Sequence, residues 1–541
     1  MDRQKKQRRI TRITALLMAA VLAAFSLGAA GCSESGGGGE TPEQSGQQGD
    51  GGSDAQSADG STLIYGSGDY TAINPALFEH GEINLLLFAG LTAHDAENKV
   101  VPGLAEDWTW DEESLTYTFK LREGLTFHDG EPLTAEDVVF TIETILDEDN
   151  GSENITNYTD IDSITAEDDL TVKIALAAPN AAMPDYLTIG VLPKHLLDGK
   201  NIVEDSFNQH PVGAGPYKFT AWDMGQSITM ERFDDFYLGA PKIEKVVFKI
   251  VEDMDTRALQ LKSGELTLAQ VTPKDAEEFT GDDAFDVYDM DTADYRGVMY
   301  NFNNPFWRDN PGLPAALSYA IDREAIVRSV LLGKGQVAWT TLQKGPYANP
   351  DVERYDYDTE KAKAAIEALG WRMGDGGYYE KGGKELGFEI SVRPSDQVRV
   401  DMANICAQNF QDRGVNAVVD INEKTDWENQ SAFLIGWGSP FDPDDHTYKI
   451  FGSEGGANYS YYSNGDVDRA LTEARRSFNQ YERAPRYAEF QTAWANDPAY
   501  TLIAYIDAIY VAKKGLAGVT QDTTLGHHGV GIFWNVYAWT L

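Results

Sequence analysis

The stretch LFAGLTAHDAENKVVPGLAEDWTWDEESLTYTFKLREGLTFHDGEPLTAEDVVFTIE, residues 87–143, decides the fold. It reads as strand, turn, strand, turn and then helix, with almost no slack between elements. LTYTFKLR alternates apolar and polar residues as a half-buried strand does, and TAEDVVFTIETIL carries a 3.6-residue period. Thr134 stands where an N-cap is wanted, with Glu136 and Asp137 in the first turn. The module carries no nucleophile and no metal spacing.

Working outward, strand signals recur at STLIYGS, LTVKIALA, YKFTAW, KVVFKIV, GVMYNF, FEISVRP and AVVDIN. Helical periodicity recurs at MDTRALQLKSGE, AALSYAIDREAIVRSVLLG, DTEKAKAAIEALGW and VRVDMANICAQNFQDRG. YYEKGGKEL predicts a hairpin about Gly382-Gly383. Strands and helices intermix, so the class is α/β, and the globular part is too long for a single core.

Residues 1–14 hold six Lys or Arg and one Asp, and residues 15–31 hold no charge. A basic head before a short apolar run is the pattern of an export signal. It closes in Ala29-Ala30-Gly31-Cys32-Ser33, which resembles a bacterial lipobox; Ala29 stands where Leu is usual. That resemblance implies cleavage before Cys32 and acylation of its thiol, hence a lipid anchor on the extracytoplasmic face. Residues 33–61 contain no Lys or Arg, six acids and no aliphatic side chain beyond Ala, a composition that reads as a flexible tether. The net charge of −42 argues against nucleic acid as a partner. With two cysteines there is no disulfide framework; Cys406 reads as a small core residue.

Catalytic signatures are missing: no H-E-x-x-H, C-x-x-C, G-x-S-x-G or P-loop occurs. Of eight histidines only His527 and His528 are neighbours, and on a strand they would point to opposite faces. The sequence therefore predicts neither an enzyme, nor a metal site, nor a cofactor.

Pro102, Leu104-Ala105, Trp108, Tyr117, Phe119, Leu121-Arg122, Gly124, Phe127-His128-Asp129-Gly130 and Thr134-Ala135-x-Asp137-Val138 together resemble the signature of family 5 extracellular solute-binding proteins, the peptide and nickel receptors of ABC importers. HPVGAGPYKF, ALQLKSGELT, the A-I-D-R helix and SYYSNGDVDRALTEAR extend the resemblance over roughly residues 62–541. It implies a periplasmic-binding-protein-like fold of two hinged lobes (class II, cluster C type) with an extra small subdomain in the first lobe, here about 86–200. The expected division is 1–31 signal peptide, 32–61 tether, 62–298 first lobe, 299–505 second lobe and 506–541 return to the first. Two crossing strands near Arg296–Asn303 and Ala499–Ile506 would form the hinge. In the family, His128 and Asp129 belong to a scaffold turn.

The resemblance also implies site residues. Arg393, in an Arg-Pro pair ahead of a helix, matches the arginine that holds a peptide carboxylate in the dipeptide branch. Trp437 is expected as an apolar wall. Pro440 occupies the place of that branch's ammonium-binding aspartate, so Asp442 either substitutes or the ligand lacks a free ammonium. Trp437-Gly438-x-Pro440-Phe441-Asp442-Pro443 matches the nickel branch as well, with His446 nearby. Ser67, Glu79 and His80 are expected from the first lobe, and Asn303 and Phe441 from the second. The expected function is a lipid-anchored, monomeric receptor that captures peptides by lobe closure and presents them to an ABC permease and its ATPase. Metal chelates, opines or sugars are the alternative cargoes, and a surface hydrolase is the alternative of another class.

Overall fold

The computed structural model describes residues 61–78 and 81–541. The chain builds three principal sheets. The largest has seven strands in the order Phe285–Met290, Ala508–Lys513, Leu268–Val271, Thr62–Ser67, Lys245–Ile250, Ser227–Arg232, Tyr217–Asp223. Thr62–Ser67 pairs in parallel on both sides, and five of its six residues are buried, as expected of a central strand covered on both faces. A hairpin about Gly225 supplies the far edge.

A second sheet has six strands in the order Gly335–Val337, Tyr500–Ile506, Tyr295–Tyr300, Ala432–Trp437, Gly387–Val392, Asn416–Ile421. Its two middle strands, Tyr295–Tyr300 and Ala432–Trp437, are buried along their whole length. Separate hydrophobic clusters cover its two faces, one around Trp307, Phe388 and Phe410, the other around Phe451, Phe490 and Trp494. The chain changes between the large sheets only twice, between Met290 and Tyr295 and at Asp507. The first change falls ahead of the expected boundary at 298/299, because Tyr295 already pairs with Trp437. Residues 296–303 and 499–506 are therefore mostly strand within the second sheet, and the crossings flank them.

Residues 87–143 contribute to the third sheet, four antiparallel strands in the order Ala105–Asp111, Thr116–Leu121, Thr171–Leu176, Ile161–Asp168. Helix Ala135–Leu146 packs on it, capped by Thr134, whose backbone N–H donates to Asp137 Oδ2 at 2.9 Å. This subdomain shares one continuous hydrophobic core with the seven-stranded sheet, from Phe119 and Ile142 to Tyr65 and Phe248. The His128 turn joins the two. His128 Nε2–H donates to the Gly215 carbonyl (3.0 Å) and Nδ1 accepts from Gly213 N–H (3.2 Å). Burial pushes its pKa down to about 4, so the imidazole is a neutral structural clip. A Cβ at Gly213 would collide with the Leu87 carbonyl, which explains the glycine of the P-V-G-A-G-P-Y segment.

The hairpin about Gly382-Gly383 forms, with φ of 60° and 74°. The A-I-D-R segment departs from expectation. It is two short helices, Leu313–Ser318 and Arg323–Ser329, because Asp322 accepts from Ala325 N–H and starts a new helix.

Candidate functional site

A cavity of about 550 Å³ lies where the seven-stranded lobe and its subdomain face two segments, 438–446 and 526–537. Phe88, Phe441, Phe533 and Trp534 make much of its lining apolar. The titratable groups on the lining are His94, Asp95, Asp185, Asp445, His446 and His527, with tyrosines 158, 186, 237 and 537. No lysine or arginine is among them.

Segment 438–446 crosses from the second sheet toward the subdomain and is held there by polar contacts. A Cβ at Gly438 would strike Ala293, so only glycine lets the strand end pass so closely. Phe441 stacks on His94, ring centroids 3.9 Å apart and planes 6° apart. His94 Nε2 donates to Asp185 Oδ1 (2.8 Å), which also accepts from Asp442 N–H (3.2 Å). Burial raises the Asp185 pKa. Asp444 accepts from Tyr186 Oη–H and from the Arg475 guanidinium, each at 2.5 Å at its nearest. Gly438 N–H donates to His446 Nδ1 (2.9 Å), which places that ring's proton on Nε2.

Segment 526–537 brings the two neighbouring histidines. They lie in a turn, not a strand, and His528 has the left-handed φ of 56°. Their rings consequently meet at 3.8 Å between centroids, tilted by 49°, instead of pointing apart. Because a carboxylate only accepts, His527 Nδ1–H donates to Asp294 Oδ1 (2.9 Å). Asp294 also pairs with Arg296. His528 is solvent-exposed. The charge of His527, desolvation and nearby Arg399 hold its imidazole well below the usual range.

Of the residues expected from sequence, Phe441 lines the cavity. Asp442 is buried, and both its carboxylate oxygens accept from Arg483 (2.6 and 2.8 Å), so its charge is already paired within the protein. Trp437 lies behind the wall, buried against His446, His527 and Tyr459. Ser67 is buried at a strand end, its carbonyl accepting from Val251 N–H. Asn303 is spent on loop structure, its Nδ2 donating to the Glu428 carbonyl (3.0 Å). Arg393 is exposed and does not line the cavity. Glu79, His80 and Cys32 lie outside the described residues, although Phe78 and Gly81 line the cavity. Sequence reasoning passed over His94 and Asp185, which sit on different elements and carry no local signal, and it set aside the His527-His528 pair.

With this geometry in place the comparisons identify the class. The chain belongs to the bacterial extracellular solute-binding proteins, family 5, whose middle-region model matches residues 99–459. It is a solute-binding protein of the ABC-importer type, not an enzyme. It is 32% identical over 535 residues to Protein XP55 of Streptomyces lividans, covering 96% of this chain and 95% of that one. Among solved structures it is similar to NikZ from Campylobacter jejuni in complex with Ni(L-His), at 36% identity and a TM-score of 0.85, covering 89% of this chain and all of that one. It is also similar to the oligopeptide-binding protein AppA of Bacillus subtilis in complex with a nonapeptide, at 28% identity and a TM-score of 0.81, covering 89% and 98%. Such relatives are two-lobed α/β proteins that act outside the cytoplasm. Among the described residues no helix is long and apolar enough to cross a membrane.

Proposed function

We propose that the protein is the membrane-tethered receptor of an ABC importer and that its cargo is a small transition-metal chelate of an amino acid such as histidine. One observation carries the choice of cargo: His527, oriented by Asp294, on the cavity wall with the His528 ring tilted against it. Imidazole is the commonest side-chain ligand of transition metals, and a carboxylate on one ring nitrogen fixes the orientation of the ring. Among the described residues no group of three or more His, Cys, Asp or Glu could hold a bare ion, so a chelator would supply the remaining donors. The likeness to NikZ with Ni(L-His) supports this reading.

Short peptides are the second reading, which the sequence placed first. It is favoured by the apolar lining and by the likeness to the AppA–nonapeptide complex. It loses weight because Asp442 is committed to Arg483 and, among the described residues, no lysine or arginine lines the cavity. In either case the two crossings at 291–294 and 507 serve as the hinge, and ligand shifts the lobes toward closure by binding the closed form better. The tether and acylated Cys32 hold the receptor at the outer face of the membrane.

Calorimetry with nickel(II), L-histidine and their mixture tests the assignment. Binding of the mixture alone, reduced at least tenfold by His527→Ala, is expected. Binding of di- or tripeptides with no response to the nickel–histidine mixture would replace it with the peptide reading.

A further inference from the structure

We propose that His94, on the subdomain wall of the cavity, is a ligand of the metal carried by the bound chelate. The proposal rests on the chelate reading and deepens it, adding a donor from the subdomain to the one that His527 brings from segment 526–537.

His94 ends the short strand Thr92–His94 and lines the cavity, its side chain 11% exposed. Its Nε2–H donates to Asp185 Oδ1 (2.8 Å), so the lone pair of the neutral ring lies on Nδ1. Among the described residues Nδ1 has no hydrogen-bond partner, and it is open to solvent. His446, also on the lining, differs: its Nδ1 lone pair already takes the Gly438 N–H (2.9 Å). A carboxylate on one ring nitrogen and an open lone pair on the other is the arrangement of a histidine that ligates a metal.

The ring is held from two sides. Asp185, on helix Met183–Tyr186, fixes Nε2, and Phe441 covers one face with its plane 6° from that of the imidazole. The ring cannot turn over without losing the first contact or slide without losing the second. Both contacts converge on segment 438–446, because Asp185 Oδ1 also accepts from Asp442 N–H (3.2 Å). Lobe closure and the orienting of the donor are then one event, and a donor fixed in advance gives up little freedom when it binds. Imidazole nitrogen suits nickel, copper and zinc. Among the described residues no group of three or more His, Cys, Asp or Glu could hold a bare ion, so His94 needs a chelator to complete the coordination sphere. It also needs that chelator to leave a position open. A nickel ion carrying one histidine does so, and a second histidine would fill it.

The test uses equimolar nickel(II)–L-histidine with the full chain, His94→Ala and His94→Gln, read by calorimetry and by the visible absorption bands of the bound nickel. Binding to the wild type should shift the bands, as ring nitrogen replaces water on the metal. Each variant should bind roughly ten- to a hundredfold more weakly, no less than the loss of a group that supports a ligand, with the bands moved part of the way back. Gln can still donate to Asp185, so it remains informative if the Ala variant fails to fold. Weaker binding with unmoved bands would assign His94 to lobe closure alone and overturn the proposal, as would unchanged affinity. If His527→Ala weakens binding and His94→Gln does not, the chelate reading stands and this ligand falls. A wild type that does not bind the nickel complex removes both.

Discussion

Asp442 and Arg483 form a buried two-pronged ion pair, Nη1 to Oδ2 at 2.6 Å and Nη2 to Oδ1 at 2.8 Å, with both side chains under a tenth exposed. The pair ties the 438–446 segment to helix Gln480–Asn496, and Tyr487 adds its hydroxyl to the same guanidinium. Asp442→Asn should therefore act on stability. Leaving Arg483 buried without its counter-charge costs about 3–5 kcal/mol. Urea unfolding should show that loss. A variant of unchanged stability with lost ligand binding would return Asp442 to the site.

The subdomain and the second lobe are latched together. Arg476 donates to the Pro179 carbonyl (2.6 Å) and pairs with Asp160 (2.9 Å), Ala181 N–H donates to the Arg475 carbonyl, and Trp110 stacks on Phe478. Arg476→Ala combined with Phe478→Ala should shift the ligand-free protein toward open forms, because each contact exists only when the lobes meet. Small-angle scattering should record a larger radius of gyration without ligand and a return to the wild-type value at saturation. Identical ligand-free dimensions would show that the latch does not bias closure.

Glu82 is half-buried, accepts from Tyr65 Oη–H at 2.8 Å and has its pKa raised by desolvation to about 7. A carboxyl raised in the folded state binds more protons folded than unfolded across this range. Its contribution is thus fully present below about pH 4.5 and is lost as pH rises through 7, by up to about 3 kcal/mol. His128, lowered to about 4, pulls the other way between pH 4 and 6.5. Comparing melting temperatures of wild type and Glu82→Gln from pH 4.5 to 7.5 isolates the first effect. The variant should lose relatively less stability as pH rises, and parallel curves would rule out a titrating Glu82.

Cys32→Ala should move the protein from the membrane to the soluble fraction. One acyl anchor replaced by none is a large change in partitioning, since each buried methylene contributes about 0.8 kcal/mol. Unaltered detergent partitioning of the variant would remove the lipid anchor from the account.

The fold was legible because its signals are local: the Thr134 cap, the Gly382-Gly383 turn and the alternation of LTYTFKLR each act within a few residues. The site was less so. Asp442 looked available because its partner stands 41 residues away on a helix whose sequence does not announce the pairing. His527 and His528 were read with strand geometry, whereas the Gly526–Gly529 turn and a left-handed His528 put both rings in contact.

Strand Ala508–Lys513 lies between Leu268–Val271 and Phe285–Met290 in the seven-stranded sheet. Its neighbours on both sides are more than 200 residues earlier in the sequence. The six-stranded sheet, by contrast, draws all its strands from one uninterrupted stretch, 295–506. The two lobes thus differ in folding order. The second can assemble by itself, whereas the first stays incomplete, with two strand edges unpaired, until residue 513 is delivered. In a chain whose family acts outside the cytoplasm, the first lobe's sheet thus closes only with a strand from the last tenth of the sequence.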